Sequence, residues 1–385
     1  MNNKQSKKMI HNLWNIVKIF SEKTFEYKRL WLIFCCVLLW AMGCRNHLTH
    51  AAASQGEREQ SALSFIDTHS HLDGVYRLGG VWESDYDAAA RTAMTTMDEA
   101  GVQKSLLLPP PFPPHYPRRY DYSVLAEVVK NYPDRFSFLG GGGLLNPMIH
   151  TVPADQVTTE IRQEFEAKAT EIIAAGAAGF GEMTALHLSF FENHPFLEGP
   201  PDHPLFLLLS DIAARADMPI DLHMEAVTQD INLPTGFSTP PNPSVLHENI
   251  KAFERLLAHN RKARIVWAHV GWDNTGHMTV SLLRRLLHQH SNLFMSIKIL
   301  TGVGRQIVAN RPLQEDGSIR PEWLELIHDF PDRFVIGSDQ FYGIPGLTPG
   351  RPQSATASWS LIDQLPEELA SKMARENALQ IYRIK

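Results

Sequence analysis

Eight short apolar runs recur between residues 64 and 337, at 64–68, 104–108, 136–139, 178–181, 219–222, 264–268, 293–298 and 334–337. Between them lie segments with helical period. The clearest is 155–175, where Val157, Ile161, Phe165 and Ile172 share one face. Segments 244–259, 277–288 and 366–382 read similarly, with Pro366 placed as a first helical residue. Strands that alternate with helices pair in parallel, and eight is the number that closes a barrel. An open doubly wound sheet would need a Gly-rich phosphate loop after an early strand. The first run is instead followed by Asp67-Thr-His-Ser-His71, and Gly140 to Gly143 lack the G-x-G-x-x-G spacing. That glycine run reads as a flexible barrel loop.

The expected fold is therefore α/β, a TIM (β/α)8 barrel distorted by long loops after the strands. The longest, 109–120, 184–204 and 226–243, are rich in Pro, Phe and His. Loops in this position lie on the catalytic face of a barrel and would form a substrate pocket. A chain of 385 residues holds one such domain plus a leader.

The leader is set apart by composition. Residues 1–29 are polar and Lys-rich, and residues 30–44 are uncharged and apolar. The apolar run is shorter than the roughly 20 residues a membrane-spanning helix needs. It suits the core of a secretory signal. Ala-Met-Gly-Cys44 resembles a bacterial lipoprotein processing box, and Ala51 to Ala53 offer a cut for a released protein. The division expected is a leader over 1–45, a linker over 46–63 and a barrel over 64–385. The protein is expected to be exported to the cell envelope, either tethered to the membrane through Cys44 or free in the periplasm, or else secreted. An uncleaved anchor is the alternative. Mass spectrometry of protein from its native host should show a mature N-terminus at or after Cys44; an intact leader on cytosolic protein would contradict this.

All three cysteines, Cys35, Cys36 and Cys44, fall in the leader, so the barrel has neither a disulfide framework nor a cysteine nucleophile. The whole chain carries −6 and the first 45 residues +6, which leaves −12 on residues 46–385. An acidic domain without a basic stripe argues against nucleic acid as a partner and leaves a small-molecule substrate. Nothing in the sequence sets the oligomeric state.

The polar residues at the strand ends carry the chemistry. Run one ends at His69-Ser-His71, run four at Glu182, run five at Asp221-Leu-His223, run six at His269 and run eight at Ser338-Asp339. Each polar group follows an apolar strand, so all would meet on one rim. Alternation in His-x-His puts both rings on the same side of an extended segment. Imidazole and carboxylate together suit a divalent metal, zinc first, with manganese as the next choice. A rim knitted only by His–carboxylate hydrogen bonds is the alternative.

The order HxH, Glu, His, His, Asp over strands one, four, five, six and eight resembles the amidohydrolase superfamily. Phe65-Ile-Asp-Thr-His-Ser-His-Leu72 and Glu376-Asn-Ala-Leu-Gln-Ile-Tyr382 are similar to the second large family within it. The resemblance covers residues 64–385. It implies that His69 and His71 hold a first metal with Asp339, and that His223 and His269 complete this site or hold a second ion. Glu182 stands on the strand that supplies a bridging carboxylate in two-metal members. Many single-metal members lack that carboxylate, so one or two ions are both compatible.

The expected activity is hydrolysis of a small-molecule amide, lactone or related ester. A metal ion activates water and polarises the scissile group. Asp339 would take the proton of the attacking water and pass it to the leaving group. If it is not a ligand, His269 would polarise the substrate oxygen. Ser338 has no G-x-S-x-G elbow around it and reads as a small packing residue. Lys298, ending run seven, would bind a substrate anion or pair with Glu182 or Asp339. Trp272 would line the pocket, and Glu225 would orient a ligand. His115, His187, His194 and His203 carry no assigned role. Two other functions compete: metal-dependent decarboxylation of an unsaturated or aromatic acid, and a non-catalytic envelope binding protein.

Overall fold

The computed structural model describes residues 63–190, 194–237, 240–299, 309–348 and 354–384. The leader, its Cys44 and the linker to residue 62 lie outside the described residues.

All eight expected strands form. They are β1 (Phe65–Asp73), β2 (Val102–Leu107), β3 (Phe136–Gly141), β4 (Gly179–His187), β5 (Pro219–Met224), β6 (Arg264–Val270), β7 (Leu293–Ile297) and β8 (Phe334–Ile336). Each pairs in parallel with its successor, and Asp67 opposite Ile336 closes β8 onto β1. The product is a closed TIM (β/α)8 barrel. Burial explains the sequence signal: parallel strands covered on both faces read as continuous apolar runs, and β4 and β5 are buried at every residue.

Each crossover carries a main helix: α1 (Tyr86–Ala100), α2 (Tyr122–Asn131), α3 (Thr159–Ala174), α4 (Pro204–Ala216), α5 (Ile250–His259), α6 (Val280–Gln289) and α7 (Pro321–Asp329); the crossover from β3 to β4 adds the short helix Asn146–Thr151. Polar side chains start several of them. Asp85 accepts from the Ala88 N–H at 2.8 Å, and Thr279 from the Leu282 N–H at 3.2 Å, each satisfying a donor the helix cannot. After β8 the chain ends in a helical run that includes Glu367–Ser371 and Asn377–Tyr382. Its Ala378, Ile381 and Tyr382 pack with Ile66, Leu106, Leu139, Val266 and Val335 of the strands. Most of these strand residues lie near strand starts, so the run plugs the N-terminal end of the barrel. The ligand-type residues occupy the opposite end. Among the described residues no helix is long and apolar enough to cross a membrane.

Three readings are corrected. The helix expected over 244–259 begins only at Ile250, because Val245–Leu246 pairs antiparallel with Ile231–Asn232 inside the loop. Pro366 sits one place before the helix, at its N-cap with φ −51° and ψ 143°. The glycine run is no flexible loop. Gly140 and Gly141 belong to β3, and a Cβ on Gly143 would lie 2.0 Å from the Tyr120 carbonyl oxygen. These glycines exist because two backbones touch, and Asp121 pins them by accepting from the Gly141 and Gly143 N–H groups at 2.9 and 2.8 Å.

Candidate metal centre

His69, His71, Glu182, His223, His269 and Asp339 come together, the first two from the middle of β1, Glu182 from the middle of β4, His223 and His269 from the last residues of β5 and β6, and Asp339 from just beyond β8. Two of them leave β geometry to do so. His269 has φ +59° and Asp339 φ +53°. This left-handed region costs a non-glycine residue about 1–3 kcal/mol where it is held strained. At Asp339 it breaks the eighth strand, which resumes as Gln340–Gly343 beside β1. The corner is clamped from below. Asp67 accepts from the backbone N–H of His69 and Ser338 at 3.2 and 2.9 Å and from the Ser338 hydroxyl. The Asp339 N–H donates to the His69 carbonyl at 2.8 Å. Ser338 is thus the tie between β1 and the Asp339 corner rather than simple packing.

Glu182 lies at the centre, 2 % exposed. Its two oxygens divide the histidines. Oε2 is 3.4 Å from His69 Nε2 and 3.5 Å from His71 Nε2. Oε1 is 2.6 Å from His223 Nδ1 and 3.3 Å from His269 Nε2. Asp339 Oδ1 stands 3.2 Å from His71 Nε2.

Hydrogen bonds on the far side of the rings decide what these nitrogens are. His71 Nδ1–H donates to the Leu108 carbonyl at 2.8 Å, and His69 Nδ1–H to Asp221 at 3.2 Å. In a neutral imidazole the Nε2 is then a lone pair. His71 Nε2 faces two carboxylates, so a bare lone pair there would set acceptor against acceptor. Both Nε2 atoms are buried and make no hydrogen bond. A cation between them resolves the conflict. Around His69 the same need shows as proton affinity: burial opposes the charge, but Asp221 and Glu182 outweigh it and push the imidazole well above its usual range. A divalent ion supplies that positive charge in place of the proton.

Distances support the fit. Ligand atoms about 2.0–2.1 Å from a tetrahedral ion stand about 3.3–3.4 Å apart. Four of the five contacts lie at 3.2–3.5 Å; only His223 and Glu182, at 2.6 Å, have closed directly on each other. The structure places three overlapping ligand groups here: His69, His71 and Glu182; His69, His269 and Asp339; and Glu182, His223 and His269.

The electrostatics follow from burial and neighbours. Burial alone would raise the Glu182 carboxyl, but His69 and the hydrogen bonds from His223 and His269 hold it well below the usual carboxylate range. Asp339 behaves likewise, burial being outweighed first by the Lys298 ammonium. Burial, reinforced by the charge of His69, pushes His269 down to about 3.

The family model described as Amidohydrolase matches residues 156–384, more than half of the chain. The chain belongs to the amidohydrolase family. Solved structures similar to it include a probable 2-pyrone-4,6-dicarboxylic acid hydrolase from Acinetobacter baumannii, at 14% identity, covering 84% of this chain and 100% of that one, with TM-score 0.46. Others are 2,6-dihydroxybenzoate decarboxylase from Rhizobium, at 13%, 83% and 98% with TM-score 0.45, and D-aminoacylase, at 13%, 83% and 74% with TM-score 0.49. No curated protein matches the sequence.

The remaining residues find plainer places in this amidohydrolase. Lys298 donates to Asp339, one of the two carboxylates weighed from sequence, and its Nζ lies 3.5 Å from the centre of the Trp272 ring. Glu225, pushed up to about 7 by burial, accepts from Asn274 at 2.7 Å. His203 caps α4, accepting from the Leu205 N–H and donating to the Val152 carbonyl. His187 donates to the Pro195 carbonyl at 3.0 Å and packs on His223 with ring centres 4.8 Å apart. His194 accepts from the Phe190 N–H at 3.1 Å. Asp221, which carries no role in the sequence pattern, is the carboxylate that holds His69. Its spacing carried the signal, because a residue two before His223 on a strand faces the same side, one layer deeper in the barrel.

Proposed function

We propose that the protein is a metal-dependent hydrolase that uses activated water on a small-molecule amide, lactone or related ester. The observation that carries this reading is His71 Nε2 aimed at the carboxylates of Glu182 and Asp339 while its Nδ1–H is spent on the Leu108 carbonyl, with His69 beside it. His69, His71, Glu182 and Asp339 would hold a divalent ion such as zinc, and Glu182, His223 and His269 a second. Bound there, the ion would lower the pKa of water and polarise the scissile carbonyl.

The protein's own groups do the rest. Asp339, kept ionised beside Lys298, accepts the proton of the attacking water and hands it to the leaving group. His69 and His71 are held in one tautomer by Asp221 and the Leu108 carbonyl, so neither ring must reorganise. His269, kept neutral by burial, can direct a ring nitrogen at a ligand or at the substrate oxygen.

The test strips the purified protein with a chelator, reloads it with zinc or manganese, and screens it against lactones, amides and carboxylic acids. Hydrolysis of a neutral C–N or C–O substrate, present only after reloading, is expected. Release of carbon dioxide from an acid without hydrolysis would move the assignment to decarboxylation. Failure to retain any metal would overturn the metal reading and leave a binding protein.

A further inference from the structure

Beyond the centre itself, directed hydrogen bonds link the end of β5 to Trp272, whose ring lies against the Lys298–Asp339 pair. Trp272 Nε1–H donates to Asn274 Oδ1 at 2.6 Å. An indole nitrogen can only donate, so this contact fixes which end of the Asn274 amide is oxygen. The other end, Nδ2–H, then donates to Glu225 Oε1 at 2.7 Å. The ring of Trp272 in turn lies against the Lys298 ammonium, which reaches Asp339 on its other side. Asn274 and Glu225 are both buried.

The turn that presents Trp272 and Asn274 is itself built rigidly. Gly271 has φ +95°, and a Cβ there would meet Pro312 at 2.9 Å. Asp273, 1 % exposed, accepts from the N–H groups of Thr275, Gly276 and Met278 at 3.1, 2.9 and 3.2 Å and from the Asn310 amide at 2.6 Å. Trp272 therefore has a fixed backbone; its ring is held by the Asn274 amide at its N–H and by an edge contact with Phe190, ring centres 5.9 Å apart.

We propose that Asn274 and Glu225 are positioning residues, which hold the Trp272 ring as a cover over the Lys298–Asp339 pair. The cover excludes water from the pair and directs the lysine toward Asp339 instead of the open cleft. The relay uses Glu225 as a hydrogen-bond acceptor and needs no charge there, so glutamine at 225 should serve equally well.

The test uses the purified full chain and reads two exposures in one sample by peptide mass spectrometry: hydroxyl-radical oxidation of Trp272 and acylation of Lys298 by a water-soluble succinimidyl ester. Asn274→Leu should raise both rates by about three- to tenfold, the scale of one lost hydrogen bond. Glu225→Gln should leave both at wild-type values, and Glu225→Leu should match Asn274→Leu. Trp272→Phe keeps a ring but no N–H, so it should raise Lys298 labelling even if Asn274→Leu does not fold. Trp272→Phe combined with Asn274→Leu should add nothing further, because both cut one relay. Thermal melts of each variant separate the local effect from general loosening. Wild-type labelling in Asn274→Leu and Trp272→Phe would overturn the proposal, as would rapid labelling in Glu225→Gln.

Discussion

Replacing Asp339 by asparagine should lower turnover by about 10²–10⁴-fold, the range for losing a general acid–base group, while the barrel stays folded. Asparagine fits the site sterically. It tolerates the left-handed backbone better than most residues, so φ +53° need not change. Its Oδ1 can still accept from Lys298, and its amide can donate to the His71 lone pair. What it cannot do is carry a proton between water and leaving group. The buried Lys298 ammonium also loses its counter-charge, so some stability goes with the anion. Circular dichroism and a thermal melt read that loss apart from catalysis. The kinetic measurement is kcat on whichever substrate the metal-dependent screen identifies, with metal content checked in the same preparation. A metal-loaded Asp339→Asn protein with near-wild-type kcat would remove Asp339 from the chemistry and leave it as a ligand or a partner of Lys298.

The sequence made the barrel and most of its rim readable for one physical reason. Strands buried on both faces are written as apolar runs, so a histidine or carboxylate at the end of a run stands out. That is how His69, His71, Glu182, His223, His269 and Asp339 could be picked out before any geometry. Asp221 stood out beside His223 in the same way but received no role, because nothing in the run says that a carboxylate one layer deeper orients His69 rather than joining the rim. The glycine run misled through composition: glycine marks freedom in an isolated chain, but here it marks the close approach of Gly143 to the Tyr120 carbonyl. The hairpin of Val75–Leu78 and Val81–Ser84 and the pairing of Ile231–Asn232 with Val245–Leu246 are short pairings inside loops. Runs of two to four residues carry too little periodicity to separate from irregular chain. The partner of Lys298 was open because Glu182 and Asp339 both end strands on the same rim. Only the broken eighth strand, with its positive φ, turns Asp339 toward Lys298.

Glu182→Gln should release at least one metal ion, and the wild type should approach two ions per chain on zinc or manganese titration of apo protein. A carboxylate buried in the barrel mouth is costly unless cations surround it. Among the described residues Glu182 meets no lysine or arginine; its partners there are four histidines, two to each oxygen. Such a division matches one carboxylate shared between two ions. Glutamine would keep the shape but present an amide N–H₂ to one pair, a donor where a cation should bind. The affinity on that side should fall by more than the about 10–100-fold that follows loss of a group merely orienting a ligand. The second set also asks for a movement the first does not. His223 and Glu182 stand 2.6 Å apart, whereas two ligands of one tetrahedral ion stand about 3.3 Å apart. Binding there must open that contact, so titration should show a tighter first ion and a weaker second. Elemental analysis of wild type and variant, each at saturating metal and after desalting, counts them. If the wild type saturates at one ion and Glu182→Gln binds it with unchanged affinity, the shared-carboxylate reading fails. The 2.6 Å contact would then be a permanent His223–Glu182 hydrogen bond, His269 would be free to act on substrate, and decarboxylation would gain on hydrolysis.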